Sequence, residues 1–263
     1  MKNPSCVLTI AGSDSGGGAG VQADARTIHA LGGFAAMAIT AITAQNTRGV
    51  SAWRAVPADL LTAQIQAVLD DLPVAAIKTG LLPGAAAVRA VAKALRRRPG
   101  IPLVIDPVLG STSGTRFLPP AGLRALRREL LPRAALVTPN RPEAEALTGL
   151  RIRTDAEVEA AGRRLLSEGC QAVLIKGGHA AGPVCRDCLV VPGRKPVWFK
   201  GRRIRTRNSH GTGCVLSAAI AWHLARGDPL VAAIRKARAF LMRGLAGGRR
   251  ARLGHGAGPA FLG

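Results

Sequence analysis

The chain has 263 residues, 48% of them hydrophobic, enough for a substantial buried core, and we expect one domain over residues 1–263. Its formal charge of +22 favours anionic ligands such as phosphates, while an aromatic content of 3% leaves few platforms for stacking bases, which disfavours a nucleic-acid-binding protein. The absence of any run of eighteen apolar residues, an N-terminal stretch too polar for a secretory signal, and five scattered cysteines argue for a soluble, cytoplasmic protein with reduced thiols and no membrane partner.

Short apolar runs recur along the chain: "CVLTIAG" (6–12), "MAITAITAQ" (37–45), "VAAIKTG" (74–80), "PLVIDPV" (102–108), "AALVTPN" (134–140) and "QAVLIKGG" (171–178). Each has the length of a buried strand. Helical spacing lies between them, as in "ADLLTAQIQAVLDDL", where Leu60, Leu61, Ile65, Val68, Leu69 and Leu72 form one apolar stripe. Thr154 with Glu157 three residues on is a capping box opening a helix that ends at Gly169. Between 184 and 206 the pattern changes to that of a β-hairpin or edge strands. The expected fold is therefore α/β, with a mainly parallel central sheet, helices on both faces and a small antiparallel edge hairpin.

In open parallel sheets, ligands bind beyond the carboxyl ends of the strands. The polar and glycine-rich residues of this chain gather there: "GSDSGGGAG", "QNT", "KTG", "DPV", "TPNRPE" and "KGGH". Turn chemistry explains the Gly and Pro, but not the Asp, Asn, Gln, Glu and Lys beside them.

"GAGVQA" (18–23) fits a loose dinucleotide fingerprint, yet no Asp or Glu occurs between Asp24 and Asp59 to hold a ribose. The same loop lacks the Lys-Ser/Thr ending of a P-loop. It is read as a loop allowing close backbone approach to a small ligand, with Asp24 one turn into the next helix. "HGTGC" (210–214) precedes "VLSAAIAWHLA", in which Val215, Leu216, Ala219, Ile220 and Leu224 suggest a core-facing stripe. That places the N–H groups of Gly211, Thr212, Gly213 and Cys214 at a helix N-terminus, where they can bind an anion. Asn140 and Glu143 open another helix and suit a hydrated Mg²⁺ beside phosphate, although N-x-x-E alone is ordinary capping. Asp106 and Lys176 add a carboxylate and an ammonium at the same sheet edge.

Taken together, "LTIAGSDSGGGAGVQAD", "TAITAQNT", "IKTGLL", "DPVLGSTSG", "LVTPNRPEAEALTG", "VLIKGGH", "NSHGTGC" and "GHGAGP" resemble the hydroxymethylpyrimidine/phosphomethylpyrimidine kinases of thiamin biosynthesis, within the ribokinase-like superfamily. The resemblance implies a homodimer that uses MgATP to phosphorylate 4-amino-5-hydroxymethyl-2-methylpyrimidine and then its monophosphate. It further implies that Gln45 binds the aminopyrimidine, with Gly12, Ala19, Asp24, Leu81 and Val108 around it. Lys176, Asn140, Glu143 and Asn208 would serve ATP, Asp106 and Glu143 the Mg²⁺, and Gly211 to Cys214 the transferring phosphoryl group. Leu81 stands where Met is expected and Ser209 where Thr is expected, both mild departures. Pyridoxal kinase, of the same fold, is the nearest alternative.

Most ribokinase-like sugar kinases carry an Asp base where this sequence, like the pyrimidine kinases it resembles, has Cys214. A helix N-terminus with His210 and Lys176 nearby predicts a lowered thiol pKa. A monophosphate nucleophile is already largely dianionic at neutral pH, and a carboxylate would repel it where a neutral thiol would not.

Overall fold

In the computed structural model, residues 5–110, 114, 117–178 and 182–262 are described. Most of the "STSG" segment and the His of "KGGH" lie outside them. The chain begins with β1 (Cys6–Asp14), α1 (Gly20–Ala30), β2 (Phe34–Asn46), β3 (Gly49–Ala55), α2 (Ala58–Asp71), β4 (Val74–Thr79) and α3 (Gly84–Leu95). It continues through β5 (Leu103–Ile105), α4 (Pro120–Ala125), β6 (Leu136–Val137), α5 (Arg141–Thr148), α6 (Asp155–Leu166) and β7 (Val173–Ile175). The last elements are β8 (Val184–Val190), β9 (Val197–Arg202), α7 (Thr212–Ala225) and α8 (Leu230–Gly247).

Nine strands form one sheet in the order β3-β2-β1-β4-β5-β6-β7-β8-β9. The six from β2 to β7 run parallel, as the alternation of apolar runs and helices requires. Successive strand side chains point to opposite faces, so each strand feeds two cores. Leu8, Ile10, Leu103 and Ile105 pack with Ile65, Val91 and Leu165 of α2, α3 and α6. Val7, Val104 and Leu174 pack with Ile28, Ile220 and Ile234 of α1, α7 and α8. Each of these fully buried aliphatic side chains contributes about 1.5–3 kcal/mol relative to exposure, so both faces need their helices.

The expected hairpin at 184–206 is present: β8 pairs antiparallel with β7, and β9 with β8. A second antiparallel edge was not anticipated. β2 runs past its parallel neighbour, turns at Gly49 and pairs back on itself through β3 from Asn46 to Ala41. "GVSAWRA" has no fully buried residue and lacks the continuous apolar run that marks the other strands, so its composition does not set it apart. The expected stripe on α7 is also corrected, because every residue from Val215 to His223 is buried. That helix lies between α1 and α8 against the sheet, and a helix enclosed on all sides shows no polar face.

Candidate active site

The two glycine turns, nearly 200 residues apart in sequence, touch. Gly211 has a left-handed backbone (φ 73°), and a side chain there would run into the Gly18 carbonyl. Gly18 in turn packs against the His210 ring, which leaves no room for a Cβ. Asp14, the last residue of β1, ties the pair together. Its Oδ1 accepts the Gly16 N–H at 2.8 Å, and its Oδ2 accepts Gly18 at 3.0 Å, Ala19 at 2.8 Å and His210 Nε2 at 2.9 Å. Burial works against this carboxylate, but His210 and the backbone N–H groups outweigh it and hold its pKa below the ordinary value.

These turns form one wall of a cavity of about 730 Å³, in the range of small-molecule sites. Gly12, Ala19, Thr43, Gln45, Leu81 and Val108 line one part of it, joined by Phe117. Leu81 lies directly under Gly12, and Trp53 of β3 holds Phe117 in an edge-to-face contact at 5.6 Å. The result is an apolar slot with one amide, that of Gln45, at its side.

The centre of the cavity is charged. Lys176 Nζ donates to Asp106 Oδ1 at 2.6 Å, and both groups lie under the first turn of α7, within van der Waals reach of a side chain at Gly213. Burial raises the Asp106 pKa, but Lys176 and Lys78 outweigh it and leave the carboxylate ionised below its ordinary range. Asn140 and Glu143 form a reciprocal capping box on α5: Oδ1 of Asn140 accepts the Glu143 N–H at 2.9 Å, and Oε2 of Glu143 accepts the Asn140 N–H at 2.7 Å. Capping therefore does not compete with a place in the lining, since both residues face the cavity. Burial, reinforced by the Asp106 charge and opposed by Lys176, pushes Glu143 up to about 7.

Two expected site residues are placed elsewhere. Asp24 is fully buried beneath the slot, receiving Lys78 Nζ at 2.7 and 2.9 Å together with the Thr9 hydroxyl, and does not line the cavity. Asn208 donates through Nδ2 to the Gly248 and Ala251 carbonyls at 2.6 and 2.9 Å, anchoring the segment after α8 rather than facing a nucleotide. That segment contains "GHGAGP", which closes on the back of the site through the Ala257 N–H to Thr47 O and the His210 N–H to Gly258 O. The expectation of a lowered Cys214 pKa is overturned as well. Burial pushes the thiol up to about 11, against Lys78, which favours the thiolate, and with Asp24 and Asp106, which oppose it. Burial in an acid-flanked pocket outweighs the helix N-terminus.

Sequence reasoning missed Lys78, Asp14, Phe117 and the α8 residues Leu241, Met242 and Leu245, which give another part of the cavity an apolar wall. Arg238 of α8 pairs with the buried Asp187, whose Oδ1 also accepts the Gly177 N–H at 2.7 Å. The "KTG" motif held the signal for Lys78, a lysine within an otherwise apolar strand.

The family profile described as phosphomethylpyrimidine kinase matches residues 14–261. The hydroxymethylpyrimidine/phosphomethylpyrimidine kinase of Rhizobium meliloti is 48% identical over 253 residues, covering 96% of this chain and 94% of its own. Among solved structures, the phosphomethylpyrimidine kinase of Clostridium difficile 630 superposes with a TM-score of 0.80 at 36% identity, covering 91% of this chain and 98% of that one. The ADP complex of Bacillus subtilis pyridoxal kinase superposes with a TM-score of 0.89 at 31% identity, covering 99% and 98%. With a ribokinase-like sheet, a helix N-terminus over a Lys–Asp pair and a profile match across nearly its whole length, the chain belongs to the phosphomethylpyrimidine kinase family and is a phosphotransferase.

Proposed function

We propose that this kinase phosphorylates 4-amino-5-hydroxymethyl-2-methylpyrimidine with ATP, and then phosphorylates the resulting monophosphate to the diphosphate. The observation that carries the reading is a single cavity joining an apolar slot with one amide, Gln45, to the N-terminal turn of α7 above Lys176 and Asp106. The pyrimidine ring lies against Leu81, Val108 and Phe117, and Gln45 pairs with its amino edge. The adenine lies against Leu241, Met242 and Leu245, where the wall is apolar. Lys176 and the N–H groups of Gly211 to Cys214 offset the charge of the phosphoryl group as it moves.

Two carboxylates at one edge, Asp106 ionised and Glu143 pushed up to about 7 by burial and by the Asp106 charge, fit a hard divalent ion. Asp106 and Glu143 would hold Mg²⁺, which would supply positive charge to offset that of the ATP phosphates. In the first reaction the hydroxymethyl oxygen forms a bond to the γ-phosphorus, the bond to ADP breaks, and the alcohol proton passes to Cys214 in its thiolate form, the minor form at neutral pH for a thiol pushed up to about 11. In the second, the monophosphate oxygen attacks without a proton to lose, and the neutral thiol does not repel it.

The reading includes a single domain over 1–263, supported by the continuous sheet, and a cytoplasmic location, supported by cysteines that are free throughout the described residues. It also includes a homodimer, supported by Met37 and Ile42 of β2, which are 45% and 60% exposed. None of the described helices is long and apolar enough to cross a membrane. Mass spectrometry of products from the pyrimidine alcohol, ATP and Mg²⁺ tests the assignment: mono- and diphosphate are expected, and phosphorylation of pyridoxal alone would reject it.

A further inference from the structure

Gln45 Nε2 lies 3.1 Å from His210 Nε2, and the same ring nitrogen lies 2.9 Å from Asp14 Oδ2. The carboxylate only accepts, and its oxygens already take the Gly16, Gly18 and Ala19 N–H groups. His210 Nε2 must therefore carry a hydrogen and donate it to Asp14, because a bare nitrogen would set lone pair against lone pair. A nitrogen that donates cannot accept from the Gln45 amide. The other side of the amide leads to the same result. Thr43 gives its one hydroxyl hydrogen to the Ser13 carbonyl at 2.8 Å, so the Thr43 oxygen, 3.3 Å from Gln45 Oε1, faces the amide with a lone pair. Amide oxygen and nitrogen are interchangeable in shape, and the hydrogen-bond network decides between them. Both neighbours require Gln45 to turn its oxygen to His210 and its NH₂ to Thr43.

We infer that Asp14, acting through His210, fixes the orientation of the Gln45 amide and so selects a substrate edge with a donor beside an acceptor. His210 and Asp14 are positioning residues in this arrangement, and the inference rests on the reading that Gln45 takes the pyrimidine edge. The 4-amino group gives a hydrogen to Gln45 Oε1, and ring N3 accepts one from Gln45 Nε2. A 4-oxo pyrimidine, with its carbonyl and N3–H, presents the reverse pattern. To pair with a fixed amide it must turn over, which carries its hydroxymethyl group to the opposite side of the pairing and away from the phosphoryl donor. A freely rotating amide would accept either ring, so the selection comes from the clasp between the two glycine turns and not from Gln45 alone.

The test compares kcat/KM for the 4-amino alcohol and for 5-hydroxymethyl-2-methylpyrimidin-4-one in wild-type protein, His210→Ala and His210→Gln. The wild type is expected to prefer the amino substrate by about 10² or more. In His210→Ala that preference falls at least about tenfold, mainly through KM of the amino substrate, because the amide is free to turn. His210→Gln restores it, since an NH₂ held by Asp14 can still donate to Gln45. A preference within about twofold of wild type in folded His210→Ala overturns the inference. Should that variant not fold, ¹⁵N NMR of the wild-type imidazole decides: a proton on Nε2 is required, and a neutral ring protonated only at Nδ1 overturns the inference. Gln45→Leu separates the two levels. If it leaves the KM for the amino alcohol unchanged, the pocket reading itself fails; if it raises that KM while the preference survives in His210→Ala, only the role of the clasp fails.

Discussion

Two lysine–aspartate pairs stand near the carboxyl ends of parallel strands, both within electrostatic reach of Cys214, and they do different work. Lys78 and Asp24 are fully buried, with 0% exposure on both side chains, and touch no part of the cavity. Lys176 keeps 13% exposure, lines the cavity and shares Asp106 with the first turn of α7. Burial disfavours the ammonium in both, and the facing carboxylate outweighs it in both, so Lys78 and Lys176 each have a raised pKa. The difference lies in what else each charge can reach. A pair closed on itself by two short bonds and the Thr9 hydroxyl can only support structure, whereas one with an open side can act on a ligand.

The largest expected effect breaks the closed pair. Lys78→Met leaves Asp24 buried without a counter-charge and should cost about 3–5 kcal/mol of stability, measured as the shift of the denaturant midpoint. Lys176→Met should cost less stability, because the buried Asp106 keeps the Lys78 charge nearby and still accepts from Thr138 at 3.3 Å, while kcat falls by about 10²–10³. If the two variants exchanged these phenotypes, the assignment of structural and functional lysines would be reversed.

Cys214, within electrostatic reach of both pairs, sharpens the comparison through pH. Its thiol is pushed up to about 11, so the thiolate grows as pH rises, and the base needed for the alcohol grows with it. The first phosphorylation should accelerate by about tenfold per pH unit from 8 to 9, while the second levels off once the monophosphate, with a pKa of about 6, and Glu143, pushed up to about 7, are both ionised. Rates of the two steps, measured separately from pH 6 to 9, check this; Cys214→Ala should lose the slope of the first step and keep the second. A first step level with pH would show that the sulfur takes no proton.

The smallest effect is expected away from both pairs. Gln45→Leu removes the one amide in the apolar slot and should weaken pyrimidine binding by about 1–3 kcal/mol, read by calorimetry, with ATP affinity and stability nearly unchanged. Equal losses for both ligands would make Gln45 a structural residue.

Much of this was legible in the sequence because local chemistry dictates it. Apolar runs of strand length with helical spacing between them pointed to a parallel sheet, the strand-end rule gathered Gly12, Gln45, Asp106, Asn140 and Lys176 into one place, and the glycine turn at a helix start added Cys214; the cavity has all six. Asn140 with Glu143 and Thr154 with Glu157 specify their caps within four residues, so both boxes formed as spelled. Tertiary structure alone decided the rest. Nothing within "VAAIKTG" or "QAVLIKGG" says which lysine is sealed and which is open; that depends on β4 lying beside β1, which brings Lys78 under Asp24, and on β7 lying two strands from β5, with Lys176 left facing the cavity. The thiol of Cys214 was misjudged for the same reason, since a helix N-terminus is visible in sequence and the burial that outweighs it is not. The clasp of Asp14, His210 and Gln45 joins three segments that no local pattern connects, because hydrogen bonds between distant residues are fixed by strand order, and strand order is a property of the whole sheet.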